Sequence, residues 1–213
     1  MLPAMPNVAA WRGLYAIVDP EHCAGRDPRA VTSAILAGGC AVLQLRDKRA
    51  PALRAALAAE LHALCRAASV PFVINDDLEL ALALGADGVH LGQSDVPVET
   101  ARIHAGRALA IGLSTHDLEQ AQTAHARGAD LIGFGPVFAT ATKLDPDPVV
   151  GVQRLGEVCA RVPLPVVAIG GIGAGNIAEV RAAGCTLAAV ISAVCAAPDP
   201  RAAAAGLHRA LID

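Results

Sequence analysis

Short runs rich in Val, Ile, Leu and Ala alternate along the chain with longer alanine-rich stretches, and the alternation repeats eight times. Such a pattern marks repeated βα units around a parallel sheet. It predicts strands over 13–18, 41–46, 71–75, 88–91, 108–113, 131–135, 166–170 and 187–191. It predicts helices over 28–37, 51–68, 77–84, 97–105, 117–127, 151–160, 174–183 and 200–211.

Punctuation supports the count. Strands two, four, six and eight follow a helix-ending glycine (Gly38-Gly39, Gly85, Gly128, Gly184), the residue suited to the positive φ of a helix C′ position. Strands three and seven follow Pro71 and Pro165, while Pro28, Pro51 and Pro97 stand where a first helical turn begins. Eight βα units in about 200 residues fit an α/β fold, a single (β/α)8 TIM barrel over 1–213, with 1–12 a loose N-terminal extension. A doubly wound open sheet competes, but its polar residues would gather at one switch point, and here they recur after many strands.

Composition narrows the class. The 54% hydrophobic content lies in short runs, and the first twelve residues lack the charged and apolar regions of a signal peptide, so neither secretion nor a membrane partner is expected. A net charge of -3 and 2% aromatics offer neither a basic field nor stacking platforms, which argues against nucleic acid. Six scattered cysteines without a C-x-x-C pair point to a cytoplasmic protein and away from zinc or Fe–S sites. Self-association into a homo-oligomer is left open.

In a barrel of this kind the chemistry collects where strands end and βα loops begin. Strand two reads "AVLQLRDK", and alternation puts Gln44, Arg46 and Lys48 on one face, an anion site in the functional reading and a frayed, solvated strand end in the bland one. Asn75 and Asp76 end strand three, and Asp95 follows strand four. Two carboxylates brought together there repel unless a cation lies between them, which suits Mg²⁺, although Asp77 and Asp95 also read as helix caps. His90 reads as a core residue. Ser114, Thr115 and His116 read equally as ligands or as the N-cap of the fifth helix.

Gly133 and Gly135 leave room at the mouth, and Thr140, Thr142 and Lys143 offer hydroxyls and an ammonium, with no counter-acid until Asp145. Gly170 and Gly171 after strand seven, with Ile191 and Ser192 after strand eight, suit a phosphate held by backbone N–H groups. Two anion sites across one mouth suggest that two phosphorylated substrates meet there.

The motifs "QLRDK", "IND", "HLGQSD", "STH", "GPVFATATK", "IGGI" and "VIS", in this order and spacing from about Leu14 to Ala193, resemble the thiamine phosphate synthase family. The resemblance implies an enzyme that joins hydroxymethylpyrimidine diphosphate to hydroxyethylthiazole phosphate, or its carboxylated form, releasing pyrophosphate by a dissociative route. It also implies that Gln44, Arg46, Lys48, Asn75, Ser114 and Lys143 bind the pyrimidine diphosphate, with Arg46, Lys48, Ser114 and Lys143 catalytic. Asp76 and Asp95 would hold Mg²⁺, and Thr140, Thr142, Gly171, Ile191 and Ser192 would bind the thiazole phosphate. The chain departs from the family's pattern at Asp77, where an Arg is usual, and in the acidic, proline-rich "LDPDPVVG". Competing readings are a thiazole tautomerase, which has no need of the diphosphate and Mg²⁺ residues, and an idle barrel that senses a phosphorylated metabolite.

Overall fold

The computed structural model describes residues 7–140, 142 and 147–213. Its strands are β1 Gly13–Val18, β2 Val42–Leu45, β3 Phe72–Asn75, β4 Gly88–Leu91, β5 Ala110–Thr115, β6 Leu131–Phe134, β7 Val166–Ile169 and β8 Leu187–Val190. The helices are α1 Pro28–Gly38, α2 Pro51–Ala67, α3 Leu78–Leu84, α4 Val98–Ala105, α5 Leu118–Arg127, α6 Gly151–Arg161, α7 Ile177–Ala182, α8 Ser192–Cys195 and α9 Pro200–Ile212. Each strand pairs in parallel with the next, and β1 pairs with β8 in the register Leu14↔Ala188, which closes the sheet into a (β/α)8 TIM barrel.

Alternation along β1 divides the core in two. Leu14, Ala16 and Val18 face outward onto the helices, in one apolar layer with Ile35, Leu43, Leu61 and Leu207. Tyr15 and Ile17 face inward, with Val42, Val73, Leu131, Val167 and Leu187. The inner layer is sealed at the N-terminal end by Trp11, 7% exposed, just beyond a 3-10 turn at Val8–Ala10. Within the expected loose extension Trp11 is docked, with Val8 packed against the same layer, while Asn7, Ala9, Ala10 and Arg12 are exposed.

Acids tie the strand starts together. Asp87 accepts from the Phe72 N–H and Asp130 from the Ile111 N–H, both at 2.8 Å, so each carboxylate bridges one strand to the strand before it. Asp27, Asp77, Asp117 and Asp199 cap α1, α3, α5 and α9 by accepting an N–H of the first turn.

Three elements differ from expectation. β5 lies two residues further on, at Ala110–Thr115, so Ser114 and Thr115 belong to the strand, and the cap of α5 is Asp117. That corrects the N-cap reading of "STH". α7 begins at Ile177 because Gly173–Asn176 forms a turn laced by the Asn176 side chain, which accepts from the Gly173 N–H and donates to the Gly171 carbonyl. The four-residue α8 was not expected at all.

The closure at β1 also sets a pH dependence. The His208 ring of α9 fills the space above Gly13, and its Nδ1 accepts from the Leu14 N–H at 3.1 Å. Burial holds His208 below the ordinary histidine value, so its folded pKa lies under its unfolded one. The resulting stability is present above about pH 6.5 and is lost as pH falls through the folded pKa. His208→Asn keeps an acceptor near Nδ1 without the titration. We therefore expect its denaturation midpoint to fall less steeply than the wild type's between pH 7 and 5, and equal slopes would contradict this.

Candidate active site

A cavity of about 1140 Å³ opens at the C-terminal ends of the strands. That is roomy for one small ligand, since pockets for a single drug-sized molecule run to roughly 300–1,000 Å³. Its walls are unlike. β1 to β5 present polar side chains to it, whereas β6 to β8 present Gly133, Val167, Ile169 and Ala189.

The polar wall is a ladder in which each group fixes the next. The buried Tyr15 hydroxyl donates to Gln44 Oε1 at 2.8 Å, and Gln44 Nε2 donates to Asn75 Oδ1 at 2.9 Å. Those two bonds decide which end of each amide faces where, leaving the Asn75 NH₂ as a donor toward the cavity. Desolvation raises the Tyr15 pKa, so the phenol remains a donor. The ladder runs on through His90, the β4 partner of Asn75 in register, whose Nε2 lies 3.1 Å from Ser114 Oγ on β5. The sequence reading of His90 as a core residue is half of the picture: the residue is half-buried, with its Nδ1 enclosed, and it lines the cavity.

Above the ladder lies a lip of opposite charges. Arg46 is held by Asp19, 2% exposed at the end of β1, and His22 Nδ1 is 3.4 Å from the same carboxylate. Lys48 Nζ meets Asp76 Oδ2 at 2.5 Å. Asp76 adopts φ 63, and its N–H donates to the His90 carbonyl, so the chain kinks as it leaves β3. Strain of this kind in a residue other than glycine concentrates at functional sites. Asp95 lies against Asp76 and accepts from the Gly92 N–H at 2.7 Å. Burial first, and the Asp76 carboxylate with it, hold Asp95 above the ordinary carboxylate range.

Asp77 turns away from this lip. It caps α3 through the Leu80 N–H and pairs with Arg54 of α2 at 2.8 Å, in a smaller hollow that Lys48, Asn75 and Asp76 also line. It thus answers as a cap, and it contributes no charge to the main cavity.

On the opposite wall the loop after β6 is docked onto the end of β7. Val137 N–H donates to the Ile169 carbonyl and Phe138 N–H to that of Gly170. Gly171, at φ 63, must be glycine for this docking, since a Cβ there would lie 2.3 Å from the Ala139 carbonyl oxygen. The Thr140 and Thr142 hydroxyls stand 3.3 Å apart on that loop and line the cavity together with Gly171, Ile191 and Ser192. Thr115 is fully buried and donates to the Gly133 carbonyl. His116 contacts the Gly135 carbonyl at 2.7 Å and lies 3.7 Å from Asp147.

Gln44, Arg46, Lys48, Asn75, Asp76, Asp95, Ser114, Thr140, Thr142, Gly171, Ile191 and Ser192 thus meet around one cavity. Lys143 lies outside the described residues. Asp19, Tyr15 and His22 were missed. Asp19 ends "AIVD" as Asn75-Asp76 ends "FVIND", so the strand-end rule applied to strand one would have found it.

The sequence model of a family described as thiamine monophosphate synthase matches residues 14–194, nearly the whole barrel. The chain belongs to the thiamine monophosphate synthase family. It is 44% identical over 210 residues to the thiamine-phosphate synthase of Chloroflexus aurantiacus, covering 98% of this chain and 96% of the relative. It is 47% identical over 191 residues to that of Herpetosiphon aurantiacus, covering 89% and 91%. Among solved structures, the thiamine phosphate pyrophosphorylase from Pyrococcus furiosus superposes with a TM-score of 0.87 at 36% identity, over 97% of this chain and 98% of that one. A 3-hexulose-6-phosphate synthase, 19% identical with a TM-score of 0.69 over 93% of this chain and 99% of that one, shares the fold alone.

In this synthase-family barrel the ladder depends on its buried first rung. Tyr15→Phe leaves Gln44 Oε1 without its donor, and we expect a loss of about 1–2 kcal/mol in unfolding free energy, measured by denaturant titration. Unchanged stability would show that the amide orientation does not depend on Tyr15.

Proposed function

We propose that this cavity joins 4-amino-2-methyl-5-(diphosphooxymethyl)pyrimidine to hydroxyethylthiazole phosphate, or its carboxylated form, giving thiamine phosphate and pyrophosphate. The observation that carries the reading is the charged lip of Arg46, Lys48, Asp76 and Asp95, set across one cavity from the hydroxyl and glycine wall of Thr140, Thr142, Gly171 and Ser192. The lip suits a diphosphate that must leave, and the far wall suits a monophosphate that stays bound.

Asp76 and Asp95 fit a divalent cation. They converge as a like-charged pair, with Asp95 disfavoured as an anion, and a cation would relieve that cost. No cluster of three His, Cys, Asp or Glu suited to a metal occurs among the described residues. A metal held here would complete its shell with water and substrate oxygens, as Mg²⁺ does. When bound, Mg²⁺ supplies positive charge to the departing pyrophosphate.

The chain's own work is binding and charge. Arg46, oriented by Asp19, and Lys48 hold the diphosphate and stabilise the negative charge that grows on it as the C–O bond breaks. Lys143 is assigned the same task from the loop after β6. Gln44, Asn75 and Ser114 hold the pyrimidine, whose 4-amino group donates electrons to the methylene carbon as that bond breaks. Thr140, Thr142 and the backbone at Gly171, Ile191 and Ser192 bring the thiazole nitrogen to the carbon, forming the C–N bond. No protein nucleophile is needed. A tautomerase has no use for the paired acids and cations, and a sensor has no use for a leaving-group lip.

No helix among the described residues is long and apolar enough to cross a membrane. The six cysteines are free thiols, which fits a cytoplasmic enzyme acting on small-molecule substrates.

Purified protein with Mg²⁺ and both substrates should release pyrophosphate; release no faster than the protein-free control would rule out the synthase, and binding without turnover would favour a sensor. Arg46→Ala and Lys143→Ala should each lower kcat by at least about 10²-fold. Near-normal turnover in either would remove that residue from its role. Added Mg²⁺ should raise the melting temperature of the wild type and leave that of Asp95→Asn unchanged, and an equal rise in both would place the metal elsewhere.

A further inference from the structure

The His90 imidazole occupies a niche made by bare backbone on the next two strands. His90 pairs in register with Gly112 on β5, and Ser114 pairs with Gly133 on β6. A Cβ on Gly112 would fall 2.4 Å from His90 Nδ1, and one on Gly133 would fall 3.1 Å from Cε1. The ring therefore lies in space that a side chain at Gly112 would take from it and one at Gly133 would crowd. There its Nε2 stands 3.1 Å from Ser114 Oγ, while Nδ1 is buried without a hydrogen-bond partner. The Ser114 backbone is held as well, since Gln93 Nε2 donates to its carbonyl.

These contacts select a tautomer. A neutral imidazole carries one N–H, and a proton on Nδ1 would be a buried donor with nothing to meet, a rarer arrangement than an unused lone pair. A proton on Nε2 is used at once on Ser114 Oγ. We propose that His90 is a positioning residue whose Nε2–H donates to Ser114 Oγ and so commits the Ser114 hydroxyl to donating its own proton to the pyrimidine diphosphate. The inference rests on the synthase reading for the identity of that ligand, whose ring nitrogens and diphosphate oxygens are all acceptors.

Two measurements test this. In ¹⁵N-histidine NMR at pH 8, with the signal assigned by its loss in His90→Gln, the neutral ring should be the Nε2–H tautomer. An Nδ1–H tautomer overturns the proposal. This readout needs no turnover, so it stands apart from any failure of the synthase reading and decides the matter if a variant does not fold. In steady-state kinetics His90→Leu should raise KM for the pyrimidine diphosphate about 10-fold, with kcat and KM for the thiazole phosphate changing less than about 2-fold. His90→Gln, which keeps a donor near Nε2, should recover most of that loss. In a Ser114→Ala background the same His90→Leu change should add less than about 2-fold. A full 10-fold in that background would mean that His90 acts independently of Ser114, and would overturn the proposal.

Discussion

Two carboxylates, Asp76 and Asp95, are forced against each other at the ends of adjacent strands, and the surrounding mouth is arranged to tolerate them. Parallel pairing of β3 with β4 sets the spacing, and the left-handed kink at Asp76 turns that side chain toward the space Asp95 shares. Lys48 offsets one charge. Burial and the Asp76 carboxylate together hold Asp95 above the ordinary carboxylate range, because like charges at close range cannot both ionise without compensation, and the proposed cation would supply it. Arg46 is kept ready by Asp19 instead of being spent on the acid pair.

The barrel divides around that lip. Inward positions of β1 to β4 carry Tyr15, Gln44, Asn75 and His90, a hydrogen-bonded floor that fixes the orientation of its amides. Inward positions of β6 to β8 carry small or apolar side chains, and their loops pack through Gly170 and Gly171. In the proposed reaction one wall would read the pyrimidine and release its diphosphate, while the other would give space and backbone contacts to the thiazole. Shared architecture alone would not imply this, since the 3-hexulose-6-phosphate synthase has the same fold at 19% identity.

Much of this was legible from period and punctuation. Strands buried on both faces read as unbroken apolar runs, and each helix-ending glycine announced the next strand, so eight units and a barrel followed. Strand-end polar residues then located Gln44, Arg46, Lys48, Asn75, Asp76 and Asp95. β5 lies two residues beyond its expected place because Ala108-Leu109 is as apolar as the strand itself while Ser114-Thr115 is polar, and only pairing with β4 and β6 decides its register. The docked Trp11, the Asp19–Arg46 pair and the role of His90 depend on contacts between distant segments that local pattern does not carry. The glycine niche for His90 is the clearest case: Gly112 and Gly133 lie 22 and 43 residues away from the ring they accommodate.

The central claim is that the diphosphate of one substrate sits at the acidic and basic lip while the monophosphate of the other sits across the mouth. A crystal structure of the complex with Mg²⁺, pyrophosphate and thiamine phosphate tests it most directly. The account predicts pyrophosphate between Arg46, Lys48 and a metal on Asp76 and Asp95, with the product's phosphate at Gly171 and Ser192. Pyrophosphate bound at Gly171 and Ser192, or a metal bound away from both carboxylates, would contradict it.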